Sequence, residues 1–181
     1  MNSKDPNQEI IEHIVEIELG MFQSVNSTVH SPCQDHLKTF QVMRKMHYSV
    51  FPKEILESYL LDVQLAKDAG RNLMTEKYAR MEDRIPPLNS SELIPQIVAL
   101  EAHWMAQLRL RYPRMFQGSG EMFEIYARCE LETLSVRTLR YLFDFMRLAH
   151  QDGRNLVKER YESLVRSFGY ASLEEKENSI D

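Results

Sequence analysis

The chain of 181 residues is poor in the features that build stapled, extended or membrane-bound proteins. It has two cysteines, Cys33 and Cys129, so no disulfide framework can hold it, and a reduced, cytoplasmic setting is the expectation. Six glycines and seven prolines exclude collagen-like and linker-like chains. A basic surplus is missing too: 22 Lys and Arg stand against 27 Asp and Glu, and each half is slightly acidic. A phosphate backbone would meet no positive patch, so no nucleic-acid partner is expected. No apolar run approaches the roughly 18 residues of a membrane span, so no membrane partner is expected. The polar opening Met1-Asn-Ser-Lys-Asp-Pro6 leads into no apolar h-region, and no signal peptide is expected.

What is present is helical periodicity along nearly the whole chain, with no segment that reads as a strand. The spacing predicts helices over 8–25, 31–50, 52–70, 72–81, 92–112, 121–149 with a break near Ser135, and 155–168. Ser31-Pro32 looks like a helix start, with Ser as N-cap and Pro at the first helical position. Pro86-Pro87 forbids a helix and marks a linker over 84–91. The tail, 174–181, is polar and expected to fray.

The pattern repeats. The run from Tyr59 to Leu73 resembles that from Tyr141 to Leu156, and Gly-Arg-Asn-Leu recurs verbatim at 70–73 and 153–156. Glu76 and Tyr78 follow one copy, Glu159 and Tyr161 the other. Upstream, the stretch ending at Glu18 aligns with that ending at Glu101, and Phe40 aligns with Phe123. The expectation is an all-α fold, a single helical bundle of two tandem, pseudo-twofold-related hairpin units: unit A over 8–83, linker 84–91, unit B over 92–170 and a polar tail over 171–181. Two copies are too few for a solenoid. Gly as helix end and Asn as the next N-cap account for the repeated tetrapeptide, which lacks the strand and Gly spacing of a phosphate loop.

Some residues break the apolar pattern. On the first helix, positions 11, 14, 18, 21 and 25 form one seam, and position 18 is Glu. The aligned seam of Ile94, Ile97, Glu101, Trp104 and Leu108 carries its Glu at the same place. A buried unpaired charge is costly, so both carboxylates need partners. Arg44 and His47 lie on the inward face of the second helix with Phe40, and His47 aligns with Glu130. Glu18, Glu101, Glu130, Arg44 and His47 are therefore expected to converge at the pseudo-twofold axis. A di-iron centre would need Glu-x-x-His on inward faces. Here the matching spacings give Arg44-x-x-His47 and Ala127-x-x-Glu130, while His13 and Glu16 flank the apolar stripe. No metal ligand is assigned, and no motif for nucleotide, haem or flavin is present. Cys33, in the first turn of a helix, is a candidate thiolate, with an ordinary core cysteine as the alternative. The basic run Arg109-Leu-Arg-Tyr-Pro-Arg114 suits either an anion or a solvated helix end.

As a set, these residues resemble a bacterial domain-of-unknown-function family, number 4125, of uncharacterised all-helical proteins. The resemblance rests on Ile14-Val-x-Ile-Glu18 with Met21-Phe22, Cys33-Gln34-Asp35, Thr39-Phe40 and Met43-Arg44. It continues through Ser58-Tyr-Leu, Gly70-Arg-Asn-Leu, Glu76-Lys-Tyr-Ala79, Trp104-Met105, Tyr112-Pro113 and Glu130-Leu-Glu-Thr, spanning roughly 9–173. It implies a shared set of site residues and leaves the reaction open. The family pattern has an Asp after Cys-Gln-Asp and a Glu between Glu18 and Met21; this chain has His36 and Gly20 there.

Three functions are in play. The first is an enzyme acting on a small carboxylate- or phosphate-bearing metabolite in a central pocket. Glu18, Glu101 or Glu130 would be its acid or base with pKa raised by burial, and Cys33 its nucleophile. Arg44, His47, Gln34, Asp35 and Trp104 would bind the substrate. The second is a non-catalytic binding or accessory module whose buried ion pairs set helix register. The third is a carboxylate-bound metal oxidase. A small-molecule ligand is the expected partner, and a homo-oligomer is allowed.

Overall fold

The computed structural model describes residues 6–25, 36–118 and 120–180. Among them nine helices and no strand occur. In chain order these are α1 (Pro6–Gln23), α2 (Leu37–Tyr48), α3 (Lys53–Asp68), α4 (Leu73–Met81) and α5 (Leu93–Arg111). Then come α6 (Gly120–Leu131), α7 (Val136–Gln151), α8 (Leu156–Ser167) and α9 (Leu173–Asn178). The break expected near Ser135 is real: its hydroxyl accepts from Thr138 N and opens α7. The proposed start at Ser31-Pro32 lies outside the described residues.

Helix α1 packs on α2, α3 and α4, and α5 packs on α6, α7 and α8. Between these groups α3 meets α7, α4 meets α6, and α2 meets α8. One apolar core runs through both, from Ile14, Leu56 and Val63 to Ile97, Trp104 and Leu139. The seams face inward as the periodicity requires: Ile14 and Glu18 are fully buried on α1, and Ile97 on α5.

The repeated tetrapeptide is explained residue by residue. Gly70 and Gly153 end α3 and α7 in the left-handed region, at φ 69° and 73°. Arg71 and Arg154 each place two nitrogens on a following carboxylate, Glu76 and Glu159. Asn72 caps α4 through Thr75 N and donates to Met21 O; Asn155 caps α8 through Lys158 N and donates to Trp104 O. Leu73 and Leu156 are buried. The polar residues thus tie the third and fourth helices of each group back to its first.

The linker is pinned rather than loose. Arg80 donates to both oxygens of Glu132 and to Ile85 O, and Leu88 N reaches the same carboxylate. Asn89 donates to Leu134 O.

The tail departs from expectation, since 173–178 forms α9 instead of fraying. Ser172 caps it by accepting from Glu175 N, and Leu173 is fully buried. Glu177 accepts from Arg114 N and Met115 N, and Glu174 pairs with Arg111. The basic run 109–114 is therefore occupied by the tail. One buried leucine and one cap supply what polarity alone did not predict.

Candidate functional site

A network of buried charges fills the space between α1, α2, α4, α5, α6 and α8. Glu18 is fully buried on α1 and accepts from four donors. Arg44 Nε and Nη2 grip its two oxygens at 2.8 and 2.7 Å, and the hydroxyls of Tyr48 and Tyr59 each approach at 2.6 Å. Burial, reinforced by the Glu18 charge, pushes both phenols well above their ordinary pKa, against the pull of Arg44, so they stay protonated and donate. Arg44 Nη1 turns to Glu130 at 2.7 Å, and Arg44 Nη2 also meets the Tyr48 hydroxyl. Every nitrogen of this guanidinium is engaged.

Glu130, on α6, joins the two groups of helices. Besides Arg44 it meets Lys77 Nζ at 3.2 Å, and that ammonium also donates to the Tyr126 hydroxyl at 2.9 Å. His47 Nε2 lies 3.8 Å from Glu130 Oε1. Burial alone would raise the Glu130 pKa, but Arg44, Lys77 and His47 overcome it and hold the carboxyl well below its ordinary value. This reverses the expectation that burial would raise it: the cations outweigh desolvation, and Glu130 is a fixed anion rather than an acid.

The seam of α5 is built differently. Glu101 accepts one bond, at 2.8 Å, from Arg160 Nη1 on α8. The other two nitrogens of Arg160, Nε and Nη2, are buried with no hydrogen-bond partner among the described residues. The guanidinium lies over Phe51, its carbon 5.0 Å from the ring centre. Desolvated donors left without an acceptor are costly, about 1–3 kcal/mol each.

Arg160 sits where the interior opens. An inner cavity of about 100 Å³ is bounded by Phe51, Ile55, Leu56, Leu142, Glu101 and Arg160, among others. A larger space of about 330 Å³ is walled by Phe40, Met43, Met46, Met105 and Val157. His47, Phe123, Tyr126 and Arg160 line both. Burial, then the charge of Arg160, and then Arg44 and Lys77 push the His47 imidazole well below its ordinary pKa, with Glu130 pulling the other way. The ring is neutral at pH 7.

Of the residues proposed from sequence, Glu18, Glu101, Glu130, Arg44 and His47 belong to this network. Trp104 is buried in the core under α8 and does not line either cavity. Cys33, Gln34 and Asp35 lie outside the described residues. Cys129 is buried, and burial raises its thiol pKa. Gly20 and His36, where the chain departs from the family pattern, are both exposed positions away from the network.

Tyr48, Tyr59, Lys77 and Arg160 were missed. Lys77 and Arg160 stand between the repeated Glu and Tyr of Glu76-x-Tyr78 and Glu159-x-Tyr161, so the repeat marked their positions as basic. Tyr59 was hidden by its apparent match to Tyr141. Tyr141 is 45% exposed, and an ungapped count back from Gly-Arg-Asn-Leu sets Leu142 against Tyr59.

Among the described residues no group of three or more His, Cys, Asp or Glu could hold a metal ion. Each network carboxylate already has an Arg or Lys beside it, which opposes a cation. No helix among the described residues is long and apolar enough to cross a membrane.

The fold and its interior define an all-helical protein with a buried carboxylate–guanidinium network beside a cavity. A family model described as a protein of unknown function, DUF4125, matches residues 8–178, and the chain belongs to that family. No curated protein and no solved structure matches the chain.

Proposed function

We propose that the protein holds a small carboxylate- or phosphate-bearing metabolite in the interior cavity and acts on it by proton transfer. The observation that supports this reading is the meeting of Arg160 and His47 on the walls of both cavities. One has unengaged donors and the other is a neutral imidazole. Arg160 takes the anion, in the role sequence reasoning gave to Arg44. His47 carries the proton, with Glu130 steadying its charged form. Glu18, Arg44, Tyr48 and Tyr59 form a framework that orients α2. The partner is a small molecule rather than a nucleic acid or a membrane.

The test is a thermal-shift screen of the full chain against carboxylate and phosphate metabolites, followed by incubation of each hit in deuterium oxide. The reading expects at least one stabilising ligand, loss of that stabilisation in Arg160→Gln, and protein-dependent deuterium uptake lost in His47→Asn. A screen without hits removes it. Binding without exchange leaves the second reading, a non-catalytic module, which the four donors around Glu18 favour for that half of the network.

We also infer that units A (8–83) and B (92–170) are tandem copies related by a pseudo-twofold axis between α3 and α7. Support comes from α1 and α5 each holding three helices of their own group, from the reciprocal α4–α6 and α8–α2 packing, and from the matched turns around Asn72 and Asn155.

A further inference from the structure

We propose that the occupant of the cavity is a monocarboxylic acid with an apolar body, its carboxylate held by Nε and Nη2 of Arg160. The proposal rests on the reading of the cavity as an anion site and adds the class of anion.

The donor geometry comes first. Nε and Nη2 are adjacent nitrogens on one edge of a planar guanidinium, and that edge fits the two oxygens of one carboxylate. Arg44 shows the same edge at work, gripping Glu18 through its own Nε and Nη2. In Arg160, Nη1 is engaged by Glu101, and the Nε/Nη2 edge is the unengaged one. The residue is only 5% exposed, so the edge is not satisfied by bulk water.

The walls decide the rest of the molecule. The Tyr48 and Tyr59 hydroxyls are engaged by Glu18, and Thr138 Oγ1 by Asp62 and Ser58. Glu130 is engaged by Arg44 and Lys77. Among the described wall residues, apart from Arg160, His47 and the neutral phenols of Tyr78 and Tyr161, the polar groups are anions or already bonded, and the remainder is Phe, Leu, Ile, Met, Val and Ala. A second carboxylate or a phosphate dianion would be buried beside apolar walls with no cation left to meet it. An alkyl or aromatic body is favoured there, at about 25 cal/mol per Å² removed from water. The outer space of about 330 Å³ is at the lower end of the range of small-molecule sites, roughly 300–1,000 Å³.

Charge balance agrees. Glu18, Glu101 and Glu130 are matched by Arg44, Lys77 and Arg160. A monoanion adds one negative charge, and His47 is placed to take up one proton. The groups around that imidazole are Arg44 and Tyr48 from α2, Tyr59 from α3, Lys77 and Tyr78 from α4, and Tyr161 from α8. Glu101 comes from α5, Tyr126 and Glu130 from α6, and Arg160 from α8. The ligand's carboxylate on Arg160 offsets the largest repulsion among them, so binding draws a proton onto His47.

The experiment is isothermal titration of the full chain at pH 7 with hexanoate and 3-phenylpropionate, against succinate and inorganic phosphate. The proposal expects one-to-one binding of at least one monocarboxylate, at least tenfold tighter than either comparator. It also expects proton uptake, read from two buffers of different ionisation enthalpy, which disappears in His47→Asn. Arg160→Lys, which keeps the charge but loses the fork, should weaken binding at least tenfold. If that variant does not fold, Phe123→Trp, which fills the junction of the two cavities, should abolish binding instead. Tighter binding of succinate or phosphate overturns this proposal and leaves the anion-site reading standing. No binding of any of the four overturns this proposal, while a hit elsewhere in the broader metabolite screen would still sustain that reading. Unchanged affinity in Arg160→Lys or Phe123→Trp also overturns it.

Discussion

The seams of α1 and α5 carry a Glu at aligned positions, yet the two carboxylates have opposite surroundings. Glu18 is closed in by Arg44, Tyr48 and Tyr59 and leaves no donor idle. At the positions aligned with those three residues the second half has Ala127, Leu131 and Leu142. Among the described residues Glu101 has Arg160 as its single donor, and two nitrogens of Arg160 have no partner. Apolar residues stand at those three places, and a cavity lined by Leu131, Leu142, Glu101 and Arg160 lies beside them. A saturated buried ion pair is a framework; an unsaturated one is a site.

That contrast can be broken by mutation, most strongly at Arg44. Arg44→Met strands Glu18 and Glu130 as buried charges, and urea unfolding at pH 7 should show a loss of about 3–5 kcal/mol or no folded protein. Next, Glu18→Gln should cost about 2–3 kcal/mol in the same assay, and Glu101→Gln about 1 kcal/mol, because the second carboxylate accepts one bond against four. Equal losses would erase the distinction.

His47 gives a pH signature. Its folded pKa lies below the unfolded value near 6.5, so the unfolded chain binds the extra proton and stability falls as pH drops below about 6.5. Glu130, also depressed, adds its loss at lower pH, as conditions fall from the ordinary carboxylate range toward its folded value. The slope from His47 can reach about 1.4 kcal/mol per pH unit. Stability of His47→Asn measured between pH 5 and 7 should be correspondingly flatter. A control on the contrast comes from features that the two groups of helices share. Asn72→Ala and Asn155→Ala should each lower stability by about 1–2 kcal/mol, and by similar amounts, because the two caps make matching bonds.

The helical class, the break at Ser135, the non-helical Pro-Pro segment and the inward seam carboxylates were legible because periodicity and chain-breaking residues act locally, whereas the contacts that pin the segment were not. The tail was misread because its order depends on Leu173 and Glu177 finding partners far back in the chain, which no local pattern encodes. The site was half legible. Glu18, Glu101, Glu130, Arg44 and His47 stood out as polar residues on apolar faces. Tyr48 and Tyr59 carry hydroxyls that matter only once Glu18 is beside them. Arg160 stands between a repeated Glu and Tyr, and its burial follows from α8 packing on α2 and α5, which no local pattern encodes.

The most direct test of this asymmetry is side-chain nitrogen NMR of the arginine Nε–H groups, assigned through Arg160→Lys, as 3-phenylpropionate is added to the full chain. The account predicts that the Arg160 Nε–H resonance shifts with the ligand while the Arg44 resonance, locked on Glu18, stays where it is. Movement of Arg44 with Arg160 unmoved, or no movement of Arg160 at saturating ligand, would contradict it.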